Sequence, residues 1–227
     1  MIGIWSFSYD NASSNFHAGI NTNVGNSSAF YQLFKDHGFN TIQIEYQLMP
    51  GSYYNPHYVS SSPSKAFLDR ADSLGLKIIL DCPDIYVDRR KDTAYLNNPS
   101  FTQYNQANSI NGLNYYGNHP SIIGFAVCDE PSSVVFSDIG MYFSDIENYN
   151  PTLFRLANLK STYAADTLLG YPGAGYAYAY PLYVENFIQT THPKSCLLTI
   201  TPFGSTMNIV TPVSMWCGQT LSISTLT

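Results

Sequence analysis

Residues 119–131 read His-Pro-Ser-Ile-Ile-Gly-Phe-Ala-Val-Cys-Asp-Glu-Pro, and this stretch narrows the possible folds more than any other. A turn signal opens it, an apolar run follows, and two adjacent carboxylates and a proline close it. An apolar run of this length between such punctuators predicts a strand buried on both faces, as in a parallel sheet. Pro131 has no N–H to give a sheet ladder, so pairing is expected to stop there. Asp129 and Glu130 would then stand at the C-terminal end of a buried parallel strand. Open α/β sheets and (β/α) barrels keep their chemistry at that end.

The surrounding chain repeats one unit. Ile2–Ser8 predicts a first strand, and Ala29–His37 has helical spacing with Gly38 as its stop. Phe39–Tyr46 alternates as a second strand, Ser64–Leu74 reads as a helix closed by Gly75, and Leu76–Asp81 as a third strand. A polar loop is expected over 84–100 and a helix over 102–116. After the central strand come a helix over 134–149, a strand over 152–159, a Gly/Tyr/Ala-rich loop over 170–179 and a helix from Pro181 to Thr191. Residues 195–201 and 220–225 complete seven predicted strands. Strand and helix in alternation give a parallel sheet with helices outside it. The expected fold is therefore α/β: a single domain over residues 1–227, built as a (β/α)₈ TIM barrel left incomplete at about seven units. A doubly wound open sheet is the alternative, although no glycine-rich phosphate loop follows the first strand.

Charged residues make up 11% of the 227 residues, with Tyr (19) and Phe (13) abundant and a net charge of −6. The chain lacks the basic footprint of a nucleic-acid binder. No apolar run reaches the roughly 18 residues of a membrane span. Met1–Trp5 does not read as a signal peptide, so a secreted or periplasmic location requires an upstream segment, and a cytoplasmic one does not. The oligomeric state is left open. Cys82, Cys128, Cys196 and Cys217 are widely spaced and predict buried thiols rather than disulfides. The five His show no metal-ligand spacing, and no G-x-S-x-G elbow occurs, so neither a metal, another cofactor nor a serine nucleophile is called for.

Gly38-Phe39-Asn40-Thr41, Leu74-Gly75-Leu76-Lys77 and above all the 119–131 stretch resemble (β/α)₈-barrel glycoside hydrolases, the large clan that includes β-galactosidases and cellulases. The nearest likeness is to bacterial barrel proteins whose fourth strand reads His-Pro-x-Ile/Leu-x-Gly-Phe/Tyr and ends Asp-Glu-Pro. This resemblance implies hydrolysis of O-glycosidic bonds in an oligo- or polysaccharide, with Glu130 as general acid/base. It also implies Asn158 and Tyr163 as cleft residues. Two positions depart from the family pattern. The sixth strand keeps Pro202-Phe203 without the acid of the family's Asp-His/Asn-Tyr-Pro-Phe, and Ser222–Thr225 carries no carboxylate where the clan has its nucleophile.

Glycoside hydrolysis needs two carboxyl groups flanking the scissile bond, about 5–5.5 Å apart for retention and about 6.5–9.5 Å for inversion. Neighbours on a regular strand face opposite ways, so Asp129 and Glu130 are not expected to form that pair. Burial and the adjacent carboxylate are expected to raise the Glu130 pKa. Glu45 and Asp81 end the second and third strands and are candidates for the second acid or for sugar contacts, with Asp84 just beyond. Trp5, Tyr9, Tyr46 and Tyr163 offer aromatic faces on which a sugar stacks. Asp129 and Asn158 complete the candidate binding set. Two further readings stay open: a non-catalytic carbohydrate-binding barrel, and an inactive truncated fragment with unpaired sheet edges.

Overall fold

A computed structural model of the chain describes residues 3–6, 28–44, 66–161 and 164–193. Its elements alternate as β1 (Gly3–Ser6), α1 (Ser28–Asp36), β2 (Thr41–Ile44), α2 (Ala66–Ser73), β3 (Lys77–Asp81), α3 (Asp92–Asn97), α4 (Gln106–Tyr116), β4 (Ile122–Asp129), α5 (Phe136–Tyr149), β5 (Phe154–Asn158), α6 (Asp166–Leu169) and α7 (Tyr176–Thr191). The five strands form one sheet in the order β1-β2-β3-β4-β5, every pair parallel. Among the described strands the order never reverses, so the reversal that makes a doubly wound sheet is absent there. The predicted strands at 195–201 and 220–225 lie outside the described residues.

Register assigns the two faces of the sheet. Ile44, Leu80, Phe125 and Arg155 line up across four strands, and all are buried. The Arg155 guanidinium reaches Glu147 Oε2 at 2.5 Å and the Phe143 carbonyl at 3.4 Å, both on α5. That row therefore faces the helices. The alternate row is Gln43, Ile79, Gly124 and Phe154, with Asp81, Ala126 and Leu156 one step further on. It is on the other face.

On the helix side, α5 and α7 interlock through aromatic rings. Phe136 meets Tyr183 and Phe187 at centroid distances of 5.0 and 5.2 Å, and Phe143 meets Phe187 at 6.3 Å. Burying such rings removes 150–250 Å² each from water, the largest single contributions to a core of this kind. Gly38 and Gly75, expected as helix stops, have φ of +82° and +67°, the left-handed region glycine enters without a Cβ clash. Gly124 answers a different need. A Cβ there would stand 2.5 Å from the Phe154 carbonyl oxygen on β5, so β4 approaches its neighbour too closely for a side chain.

Two expectations about local structure are corrected. The segment 84–100 is not a polar loop: it holds 3₁₀ turns at Pro83–Ile85 and Arg89–Lys91 and the helix α3. Ile85 and Val87 are fully buried there, and the Val87 N–H donates to the Val127 carbonyl at 2.8 Å. The buried apolar pair and that backbone bond tie the segment to the central strand. Similarly, α7 begins at Tyr176 rather than Pro181. Pro181 has no N–H to donate back along the helix, yet the alternating Tyr-Ala run before it is helical and starts against Gly175, whose φ is +74°.

Candidate active site at the C-terminal edge of the sheet

β4 ends at Asp129, and the next residue breaks the strand geometry: Glu130 has φ +47°. A bulky non-glycine residue occupies that region only when its surroundings hold it there. Three contacts do so. The Glu130 N–H donates to the Asn158 carbonyl at 2.7 Å, continuing the β4–β5 ladder by one bond. The Lys160 ammonium donates to the Glu130 carbonyl at 2.5 Å. The buried Tyr183 hydroxyl on α7 donates to the Pro131 carbonyl at 2.7 Å and accepts the Lys160 N–H at 3.2 Å.

The change of hand at Glu130 undoes the expectation that Asp129 and Glu130 face apart. Both carboxylates approach one nitrogen, Arg89 Nη1, at 2.8 Å from Glu130 Oε2 and 3.6 Å from Asp129 Oδ2. The strict alternation of a pleated strand holds only while the backbone stays extended. The expectation that burial surrounds Glu130 also fails. Its side chain is 43% exposed, and the charge nearest to it is the Arg89 guanidinium.

Asn158 is buried and serves two partners: its carbonyl takes the Glu130 N–H, and its Nδ2 donates to Asp129 Oδ1 at 2.8 Å. Asp81 pairs in register with Ala126, and Asp129 with Asn158. The parallel register thus brings Asp81, Asp129, Glu130 and Asn158, all named from the sequence, to one edge of one sheet. Trp5 lies on β1 in register with Gln43. Tyr9, Glu45, Tyr46 and Tyr163 fall outside the described residues, and this edge is described without them.

Arg89, Asp92, Lys160 and Tyr183 were not singled out in the sequence. Arg89-Arg90-Lys91 was the available signal, a basic run in a chain with only ten Lys and Arg. Burial lowers the Lys160 pKa, while the charges of Glu130 and Asp92 act to restore it. Burial likewise raises the Asp92 pKa, opposed by hydrogen bonding from Ser132 and by the Lys160 charge. Cys128 is a free buried thiol whose pKa burial pushes well above its ordinary value. It donates to the Val87 carbonyl at 3.0 Å, a packing role rather than that of a nucleophile. Among the described residues, no group of three or more His, Cys, Asp or Glu is placed to hold a metal ion, and no helix is long and apolar enough to cross a membrane.

No protein-family model matches the chain, and no curated protein sequence matches it. Solved structures do match, several of them glycoside hydrolases by name. A Bacteroides thetaiotaomicron protein assigned as an α-L-fucosidase aligns at a TM-score of 0.55 and 9% identity, over 87% of this chain and 63% of that protein. A glycosyl hydrolase family 2 member from Bacteroides cellulosilyticus aligns at 0.45 and 14%, over 78% of this chain and 19% of that one. The endo-1,4-β-mannanase of Eisenia fetida aligns at 0.46 and 12%, over 77% and 64%. The chain spans less than two thirds of each neighbour's length. At these identities the first match establishes a shared α/β fold of parallel strands and helices.

Proposed function

We propose that this chain is a glycoside hydrolase-like (β/α) barrel, a single domain over residues 1–227, and that it cleaves O-glycosidic bonds in a carbohydrate substrate with Glu130 as general acid/base. The observation that carries this reading is the placement of Glu130. It is a solvent-reaching carboxylate at the C-terminal end of the parallel strand β4, on a backbone held out of the strand conformation. The unreversed strand order supports a barrel, because a sheet closes on itself when each unit adds to the same edge. The fold shared with the fucosidase-assigned neighbour supports it as well.

In this reading Glu130 gives its proton to the glycosidic oxygen as the bond to the leaving sugar breaks, and then takes a proton from the incoming water. A protonated Glu130 donates its O–H to the glycosidic oxygen and no longer forms an ion pair with the Arg89 guanidinium. Asp129 and Asn158 would bind sugar hydroxyls, with Trp5, Tyr46 and Tyr163 as stacking faces. Asp81 and Glu45 are the candidates for the second carboxylate. Replacing Glu130 by Gln is expected to cut turnover of a phenyl glycoside, whose leaving group needs a proton, by about 10²–10⁴-fold. Undiminished turnover of that substrate would remove Glu130 as the acid.

The second reading is a carbohydrate-binding barrel without catalysis. Arg89 favours it, because that residue already occupies both adjacent carboxylates. Sugar binding by calorimetry, with no turnover across an aryl glycoside panel, would establish this reading in place of the first.

A further inference from the structure

We infer that Lys160 is a positioning residue for Glu130, acting through the main chain rather than on the substrate. The inference rests on the hydrolase reading for its kinetic consequence only; its structural content stands apart from that reading. Lys160 follows β5 by two residues and is half-buried. Its ammonium donates to the carbonyl oxygen of Glu130 itself, at 2.5 Å. Residue 130 is one of two non-glycine residues with positive φ in the described chain, the other being the helix-capping His192. A left-handed glutamate is disfavoured by clash of its Cβ with the following carbonyl, so the conformation needs an external holder.

The holder is a closed set of contacts. Lys160 Nζ grips the carbonyl of Glu130, the Tyr183 hydroxyl grips that of Pro131, and the same hydroxyl accepts the Lys160 N–H. The two successive carbonyls after the strand end are therefore fixed from one point on the β5–α7 side. Partial burial of a lysine disfavours its charged form. The negative charges of Glu130 and Asp92 act against that effect. A charged donor makes the stronger hydrogen bond, roughly twice a neutral one. With the carbonyl fixed, the Glu130 side chain leaves the backbone in the direction that brings it beside Asp129 at Arg89. Without it, the residue can relax to an extended conformation that turns the carboxylate away.

The chain contains only four glutamates, Glu45, Glu130, Glu147 and Glu185, so glutamate-selective isotope labelling of the full chain gives a simple spectrum. The Glu130 signal is assigned by its loss in Glu130→Gln. In Lys160→Met the Cα shift and the three-bond amide coupling of Glu130 are expected to move from left-handed to extended values. Over the same change kcat on an aryl glycoside is expected to fall about a hundredfold with KM little altered, and Lys160→Arg is expected to recover part of it. Lys160→Gln takes the place of Lys160→Met should that variant not fold. An unchanged Glu130 signal in the folded variant overturns the inference. Absence of turnover in the unmutated chain overturns the hydrolase reading instead and leaves the spectroscopic test standing.

Discussion

Glu130 shows how a single backbone angle changes what a pair of neighbouring acids can do. On an extended strand, Asp129 and Glu130 would look away from one another; with φ at +47° they meet at Arg89. Arg89 is 45% exposed, and an ion pair so open to water contributes at most about 1 kcal/mol. Arg89→Ala is therefore expected to lower the unfolding free energy measured in urea by no more than that. A loss of several kcal/mol would mean that Arg89 holds the segment 83–97 in place. The acids themselves were legible in the sequence, because an apolar run that stops at Asp-Glu-Pro has few places to put its charges. The left-handed turn was not, since nothing about a glutamate marks it for that region. Nor was Arg89, whose partner lies 41 residues away in the chain.

At the scale of the elements, two carboxylates do structural work away from the candidate site. Asp138 on α5 is 1% exposed. It accepts hydrogen bonds from the Gln103 N–H at 2.5 Å, the Thr102 hydroxyl at 2.8 Å, the Tyr104 N–H at 3.2 Å and the Tyr95 hydroxyl. This one side chain fixes the entry to α4 against α5. Asp138→Ala takes the acceptor from these donors, of which Tyr95, Gln103 and Tyr104 are half-buried and Thr102 is exposed, and each donor left unpaired away from water costs about 1–3 kcal/mol. The variant is expected to lose about 3 kcal/mol or more in urea unfolding, and a loss below about 1 kcal/mol would mean that water replaces the carboxylate freely.

Asp166 instead closes a loop after β5. It accepts the N–H groups of Thr167, Gly173 and Gly175 at 2.7, 2.9 and 3.3 Å. These bonds, that from Gly175 foremost, hold its pKa below the ordinary 3.8. A depressed carboxylate stabilises the fold above its unfolded pKa and loses that contribution as pH falls through the folded one. The difference in melting temperature between the chain and Asp166→Asn is thus expected to be steady above about pH 5 and to close on further acidification. A difference independent of pH would contradict the assignment.

Helix and strand types were readable from periodicity and glycine stops, with bounds displaced by a few residues. The failures came where tertiary contacts overrode local chemistry. Val87 is drawn to β4 from a stretch that reads as polar, and α7 runs through a proline because its aromatic face locks onto α5.

At the scale of the molecule, the parallel register turns a sequence pattern into a site. Asp81, Asp129 and Asn158 stand far apart in the chain, yet each ends a strand, and parallel neighbours put strand ends together. Alternation of strand and helix made that arrangement legible. The side chains that brace it were not, because a lysine beyond a strand and a tyrosine within a helix have no signature of their own. The direct test of Glu130 as the proton donor is a comparison of kcat/KM for the chain and Glu130→Gln on aryl glycosides of graded leaving-group acidity. A dinitrophenolate departs without help, whereas an unsubstituted phenolate needs a proton. Glu130→Gln is expected to lose about 10²–10⁴-fold on the phenyl glycoside and little on the dinitrophenyl glycoside in bond cleavage. An equal loss on both, or none on either, would contradict it.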